Sequence, residues 1–142
     1  MSKTVLFPVD FSDVSFKVLD AFQDLKAMGV DKVVLLHVVD ERSYQYMEAY
    51  SSLKEIQEQN LEHAHAELDK MAQQLREFGV NVASRVAVGM PVREILAAEK
   101  EDEVSMIVMG SHGRSNLSEM FLGSVAEKVI RKCTKPVFVV KR

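Results

Sequence analysis

The residue types and spacing best suited to chemistry in this chain lie between Gly110 and Ser124, in the run GSHGRSNLSEMFLGS. Glycines at 110, 113 and 123 frame a segment rich in hydroxyls. Glycine brings the backbone close to an oxyanion with no Cβ in the way, and it accepts positive φ. Ser124 then opens an apolar pattern at helical spacing. A helix start offers unpaired N–H groups at the positive end of a dipole. Each hydrogen bond to a charged group contributes about 1.5–3 kcal/mol, so three or four suffice for an anion held at roughly micromolar strength. The same residues have a plainer reading. Ser124, with Glu127 three positions on, spells a capping box, and the glycines then serve only as turn formers. Spacing alone leaves both readings open.

The elements around this segment decide where it sits. Val104 to Met109 is an apolar run that predicts a buried strand just before the glycines. Thr4 to Val9 reads as a first strand, ended by Asp10. Ser12 or Asp13 is placed to cap a helix whose apolar stripe is Val14, Val18, Phe22, Leu25 and Met28, with Gly29 as its stop. Lys32 to Val39 is a second strand without alternation, as expected where both faces are covered. After a polar stretch, 40–52, a long helix carries Leu61, Ala64, Leu68, Met71, Leu75 and Phe78 on one side and ends at Gly79. Val80 to Val88 predicts a third strand, and Pro91 opens a short helix with Val92, Ile95 and Leu96 inward. The last helix spans about Ser124 to Lys132, using Val125, Val129 and Ile130, and Pro136 to Val140 is the final strand. Strands and helices alternate throughout, which predicts an α/β fold: a single open parallel sheet of five strands with helices on both faces. No repeat, linker or low-complexity segment divides it, so residues 1–142 read as one domain.

Composition narrows the partners. A net charge of −3 argues against a nucleic-acid binder, which would show a basic face. The basic residues near the end (Arg131, Lys132, Lys135, Lys141, Arg142) read as a solvated rim. No apolar run reaches the length of a membrane span, which predicts no membrane contact. One cysteine, Cys133, and no apolar stretch after Met1 fit a protein of the reducing cytoplasm.

In an open parallel sheet, ligands lie beyond the carboxyl ends of the strands, where winding reverses. Three clusters fall at such ends: Pro8-Val-Asp-Phe-Ser12, His37-Val-Val-Asp40 and Gly110-Ser-His-Gly-Arg114. If strands one and four are neighbours, Asp10 and Gly110 share a crevice, which favours the phosphate reading.

The motifs at these ends resemble the universal stress protein family, in its nucleotide-binding branch. Gly110-x2-Gly113-x9-Gly123-Ser124 is similar to that family's glycine signature. The likeness covers the whole chain through Val-x-Phe-Pro-Val-Asp-Phe-Ser, Leu-Leu-His-Val, Val-Met-Gly-Ser-His-Gly-Arg, Leu-Gly-Ser-Val and Lys-Pro-Val-x-Val-Val. The resemblance implies strand order 3-2-1-4-5 (an adenine nucleotide alpha hydrolase-like, Rossmann-like sheet), ATP or AMP binding, a role as a nucleotide-responsive stress-response module, and a homodimer formed by pairing of the last strands, Val137 to Val140. It implies that Pro8, Val9 and Asp10 lie by the sugar and phosphates, that Val38 meets the adenine edge, and that Met109 and Gly110 lie beside the ribose. It further implies that His112, Gly113, Gly123, Ser124 and Val125 hold the phosphates. Ser115-Asn116 departs mildly from the pattern, where relatives often carry another glycine.

Asp10 is the carboxylate best placed to hold Mg²⁺ or Mn²⁺ with ATP, through water and phosphates; its plainer role is a helix cap. His112 reads equally well as a phosphate donor or as loop filler. His37 reads as a ring satisfied by a backbone partner, and His63 and His65, two apart on a helix, as surface residues. Cys133 and most of the eight methionines read as apolar packing. No Gly-x4-Gly-Lys-[Ser/Thr] delivers a lysine to phosphates, and no Gly-x-Gly-x-x-Gly follows strand one. A binding module is therefore the first expectation, with no catalytic residue assigned. The alternative is a slow ATPase or an autophosphorylating protein, with Ser111, Ser115, Ser118 and Ser124 as acceptors. A flavin carrier is a third reading, opposed by the lack of an aromatic in the loop before Phe121.

Overall fold

The computed structural model describes residues 3–11, 13–42, 53–101, 103–111 and 122–141. The elements run β1 (Lys3–Val9), α1 (Asp13–Ala27), β2 (Val30–Asp40), α2 (Leu53–Glu77), β3 (Asn81–Gly89), α3 (Pro91–Glu101), β4 (Met106–Gly110), α4 (Ser124–Lys132) and β5 (Val137–Val140). All recorded pairings are parallel, and the sheet order is β3-β2-β1-β4-β5. The expected alternation and order are both present.

Strand side chains alternate between the two faces, so each strand feeds two cores. Val5, Phe7 and Val9 of β1 join Leu19, Phe22 and Leu25 of α1 and Leu68, Met71 and Leu75 of α2. Leu6, between them, points the other way and joins Ile95 and Ala98 of α3 and Ala126 and Val129 of α4. Helices thus cover both faces, which explains why β1 and β2 read as unbroken apolar runs. Among the described residues no helix is long and apolar enough to cross a membrane.

Two expectations need correction. Met28 lies beyond α1, in the turn that Gly29 closes at φ +102°, and is 53% exposed. Leu25, fully buried, is the last core residue of that stripe. Ile130 follows Val129 by one position, so it turns about 100° away from the buried stripe and is 37% exposed. Among the described methionines, Met71, Met106 and Met109 belong to or pack on the two cores, Met90 is half-buried and Met28 is exposed.

Candidate functional site

The crevice begins with a missing donor. Thr4 accepts a hydrogen bond from the Ser105 amide at 2.7 Å, so the even-numbered residues of β1 turn their backbone groups toward β4. The next two of that set are Leu6 and Pro8, and proline has no N–H to give. The β1–β4 ladder accordingly pairs only Val5 with Met106 and Leu6 with Ile107, whereas β1 pairs with β2 as far as Val9 and His37. Beyond Leu6 the two central strands carry no further recorded pair, and this lies where winding reverses between α1/α2 and α3/α4. Counting on from the register, Val9 stands level with Gly110, and Asp10 stands level with Val38. The strand ends expected to share a crevice therefore do so.

Val9 is also held from the β2 side. His37 Nδ1 lies 2.8 Å from the Val9 carbonyl, so that nitrogen carries the proton and donates. The backbone partner expected for His37 is present. The His37 ring stacks on Phe11 with centroids 4.4 Å apart and an interplanar angle of 28°. His63, exposed on α2, meets Phe11 edge-on at 6.4 Å. Phe11 adopts φ +61°, a conformation that non-glycine residues rarely take. Sequence reasoning passed over Phe11, because nothing in Asp-Phe-Ser signals a left-handed residue.

On the β4 side, Met109 is buried, Gly110 is half-buried and Ser111 is 3% exposed. The Gly123 amide donates to the Ser111 carbonyl at 2.6 Å and thereby places the start of α4 against the end of β4. The N-cap of α4 is Gly123, with φ −62° and ψ 152°, and no side chain caps it. The capping box expected from Ser124 and Glu127 is absent. The cap falls one residue earlier, so Glu127 sits a position too deep to reach back, and it pairs with Arg131 at 2.7 Å instead. The first intrahelical bond runs from Glu127 N–H to Gly123 C=O at 2.9 Å. Ser124, Val125 and Ala126 thus have no intrahelical acceptor for their amides, which lie at the positive end of the helix dipole with no recorded partner among the described residues. That geometry suits an anion.

His112 and Gly113 lie outside the described residues. Asp10 is half-buried just past β1. Among the described residues no group of three or more His, Cys, Asp or Glu gathers as a metal cage. Two further cationic residues stand near this end of the sheet and had no sequence signal. The Arg42 guanidinium donates to both carboxylate oxygens of Asp40, closest at 2.7 Å, and its backbone amide adds a further bond; together they keep the Asp40 carboxyl below its usual range. Arg93 lies 3.9 Å from Glu41. At the opposite end, Cys133 is only half-buried, and desolvation pushes its thiol up.

An open, doubly wound parallel sheet whose strand order reverses between β1 and β4 is a Rossmann-like fold, and the start of α4 lies beside that reversal. The universal stress protein family model matches residues 1–141, and the chain belongs to that family. Universal stress protein MJ0577 of Methanocaldococcus jannaschii is 37% identical over 159 residues, spanning all of this chain and 96% of the relative. A solved structure of MJ0577 superposes with a TM-score of 0.88 over 99% of this chain and 96% of that one. Universal stress protein YxiE of Bacillus subtilis is 34% identical over 99% of this chain and the whole of its own length. The fold is also shared, at 21% identity and a TM-score of 0.66, with a universal stress protein from Archaeoglobus fulgidus solved in complex with dAMP, covering 98% of each chain.

Proposed function

We propose that this chain is a single-domain adenine-nucleotide-binding module that takes ATP or AMP into the crevice between β1 and β4. The observation that carries this reading is the start of α4. Among the described residues, three amides, from Ser124 to Ala126, stand without a partner beside the carboxyl end of β4. In this assignment Val38 meets the adenine edge, Met109 and Gly110 floor the ribose, and Pro8, Val9 and Asp10 line the opposite wall. Ser124 and Val125 receive phosphate, with Gly123 at the cap leaving room beside them, together with His112 and Gly113. Three charge-assisted bonds supply about 5–9 kcal/mol before the cost of association, a range that brackets micromolar binding. Fold neighbours solved with cAMP and with dAMP, at 21% identity, support the capacity of this fold for adenine nucleotides.

Asp10 alone fits a Mg²⁺ or Mn²⁺ ion held mainly by phosphates and water, the usual arrangement for Mg²⁺. Such an ion would offset phosphate charge. The module works as a homodimer joined through the free edge of β5, and nucleotide occupancy biases that assembly in a cytoplasmic stress response. Isothermal titration with ATP, ADP, AMP and FMN tests the reading. Saturable heat with adenine nucleotides and none with FMN is expected; silence toward adenine nucleotides at millimolar concentration overturns it.

A further inference from the structure

A second recess adjoins the proposed nucleotide crevice and shares Ser124 and Val125 with it at the start of α4. α3 and α4 run side by side over one face of the sheet, with Ile95, Ala98, Ala126 and Val129 turned into the core. Outward they leave a groove of about 830 Å³. Pro91, Val92, Leu96, Ala97 and Val125 give it an apolar floor. Among the described residues, Arg42, Arg93, Lys100, Lys128 and Lys132 stand around it against one carboxylate, Glu101. This is a strongly cationic patch on a chain whose net charge is −3. Arg42 is engaged by Asp40, and Glu101 by Arg85 at 3.5 Å. Lys100, Lys128 and Lys132 are exposed and enter no ion pair among the described residues.

We propose that this groove docks an acidic amphipathic helix of a partner protein. Three properties select that occupant. The groove is open along its outer side, whereas a small-molecule site buries most of its ligand. Its walls are two helices, and the distance from Pro91 to Lys100 is about 13 Å by helical rise, or two to three turns of a third helix laid along them. Lys128 and Lys132 are one turn apart, the spacing at which a facing helix presents carboxylates at i and i+4 beside an apolar stripe. Charge then orients the partner helix while the floor removes its apolar face from water. A single-stranded nucleic acid is the poorer match, since among the described residues no aromatic side chain lines the floor to stack on bases.

The test uses the full-length protein and fluorescence anisotropy. The probe is a labelled helical peptide of about 14 residues, roughly 21 Å of helix, with glutamates one turn apart flanking a leucine stripe. Competitors are a scrambled peptide of the same composition, a single-stranded DNA oligonucleotide and phosphatidylglycerol vesicles. Saturable binding of the patterned peptide is expected, with the scramble weaker by about tenfold or more. Lys100→Glu with Lys132→Glu, in the last turns of α3 and α4 and away from the α4 start, should weaken it by a similar factor while ATP titration is unchanged. Leu96→Asn should weaken it even at about 300 mM salt, where exposed charges are screened. Equal binding of patterned and scrambled peptide, an unaffected double variant, or displacement by oligonucleotide or vesicles at lower concentration than by unlabelled peptide would each overturn the proposal. Because ATP binding is read separately, its failure leaves this result standing, and the reverse holds too.

Discussion

The amide of Gly123 donates to the carbonyl of Ser111 at 2.6 Å, although the intervening chain is residues 112–122. Ser111 is itself anchored, its amide donating to Val140 at 2.9 Å. The end of β4 and the start of α4 are therefore one unit, fixed to the edge strand. The amides of Ser124, Val125 and Ala126 are aimed by this clamp, and a phosphate site needs its donors pre-aimed if binding is not to be spent on ordering them.

Gly123→Val tests the helix start. The φ and ψ of Gly123, −62° and 152°, are open to any L-residue, so the substitution adds bulk without backbone strain. A branched side chain at the cap shields the amides behind it. ATP and AMP affinity should fall by about tenfold or more, the loss of at least one charge-assisted bond, with far-UV circular dichroism unchanged. Gly123→Ala should show a smaller loss. Titration of each variant reads the effect, and wild-type affinity in the valine variant would remove the α4 start from the site.

Asp10→Asn separates the metal from the nucleotide. ATP affinity in Mg²⁺ should drop toward its value in chelator, whereas AMP affinity should barely change. An equal loss for both ligands would show Asp10 acting on the sugar instead.

The edge strand gives a sharp probe of assembly. Pro136 and Val140 turn their carbonyls to β4, accepting from Ile107 and Ser111 at 2.9 Å. Val137 and Val139 therefore point their backbone groups outward from the sheet edge, beside Phe138, whose side chain is 36% exposed. Val139→Pro removes an outward N–H and leaves the β4 ladder intact. Light scattering coupled to size exclusion should show a dimer in the wild type and a monomer in the variant. A dimer that survives the proline joins elsewhere.

Glu99 is 2% exposed, and its Oε1 accepts from the Thr134 amide at 2.9 Å and the Thr134 hydroxyl at 2.7 Å. This ties the end of α3 to the approach of β5. Thr134→Val deletes one bond to a buried carboxylate and should cost about 1.5 kcal/mol in urea denaturation. Thr134→Ser should recover most of it. No difference between the two variants would mean that the hydroxyl bond contributes nothing to the link.

The Asp40–Arg42 pair sets a pH dependence with a definite sign. The Arg42 guanidinium lowers the folded-state pKa of Asp40. Whatever stability the pair adds is therefore present above the unfolded carboxylate pKa and is lost as pH falls through the folded value. In Arg42→Gln the Asp40 carboxyl resonance should titrate at higher pH than in the wild type. Coincident titration curves would sink the assignment.

The sequence made the alternation of elements plain, because β1 and β2 are apolar without interruption and Gly29 and Gly79 punctuate the helices. It placed Val9, Asp10, Gly110 and Gly123 at strand and helix ends for the same reason. The strand order needed the family resemblance, since adjacency of β1 and β4 is a long-range fact that no local pattern encodes. The cap of α4 was misread because Ser-x-x-Glu has the same spelling whether its serine caps the helix or is its first residue. Phe11 was invisible: its left-handed backbone is tied to packing between His37 and His63, residues far off in sequence. The groove between α3 and α4 was likewise hidden, because Arg42, Lys100 and Lys132 come together only once two helices lie parallel.

Pro8 has a consequence that reaches past binding. The crevice lies where winding reverses, and there Pro8 withholds one backbone donor that would otherwise carry the β1–β4 ladder onward. The parting of the two central strands is thus written into the backbone and the crossovers. Exchanging a lining side chain changes what the crevice meets and leaves that parting in place.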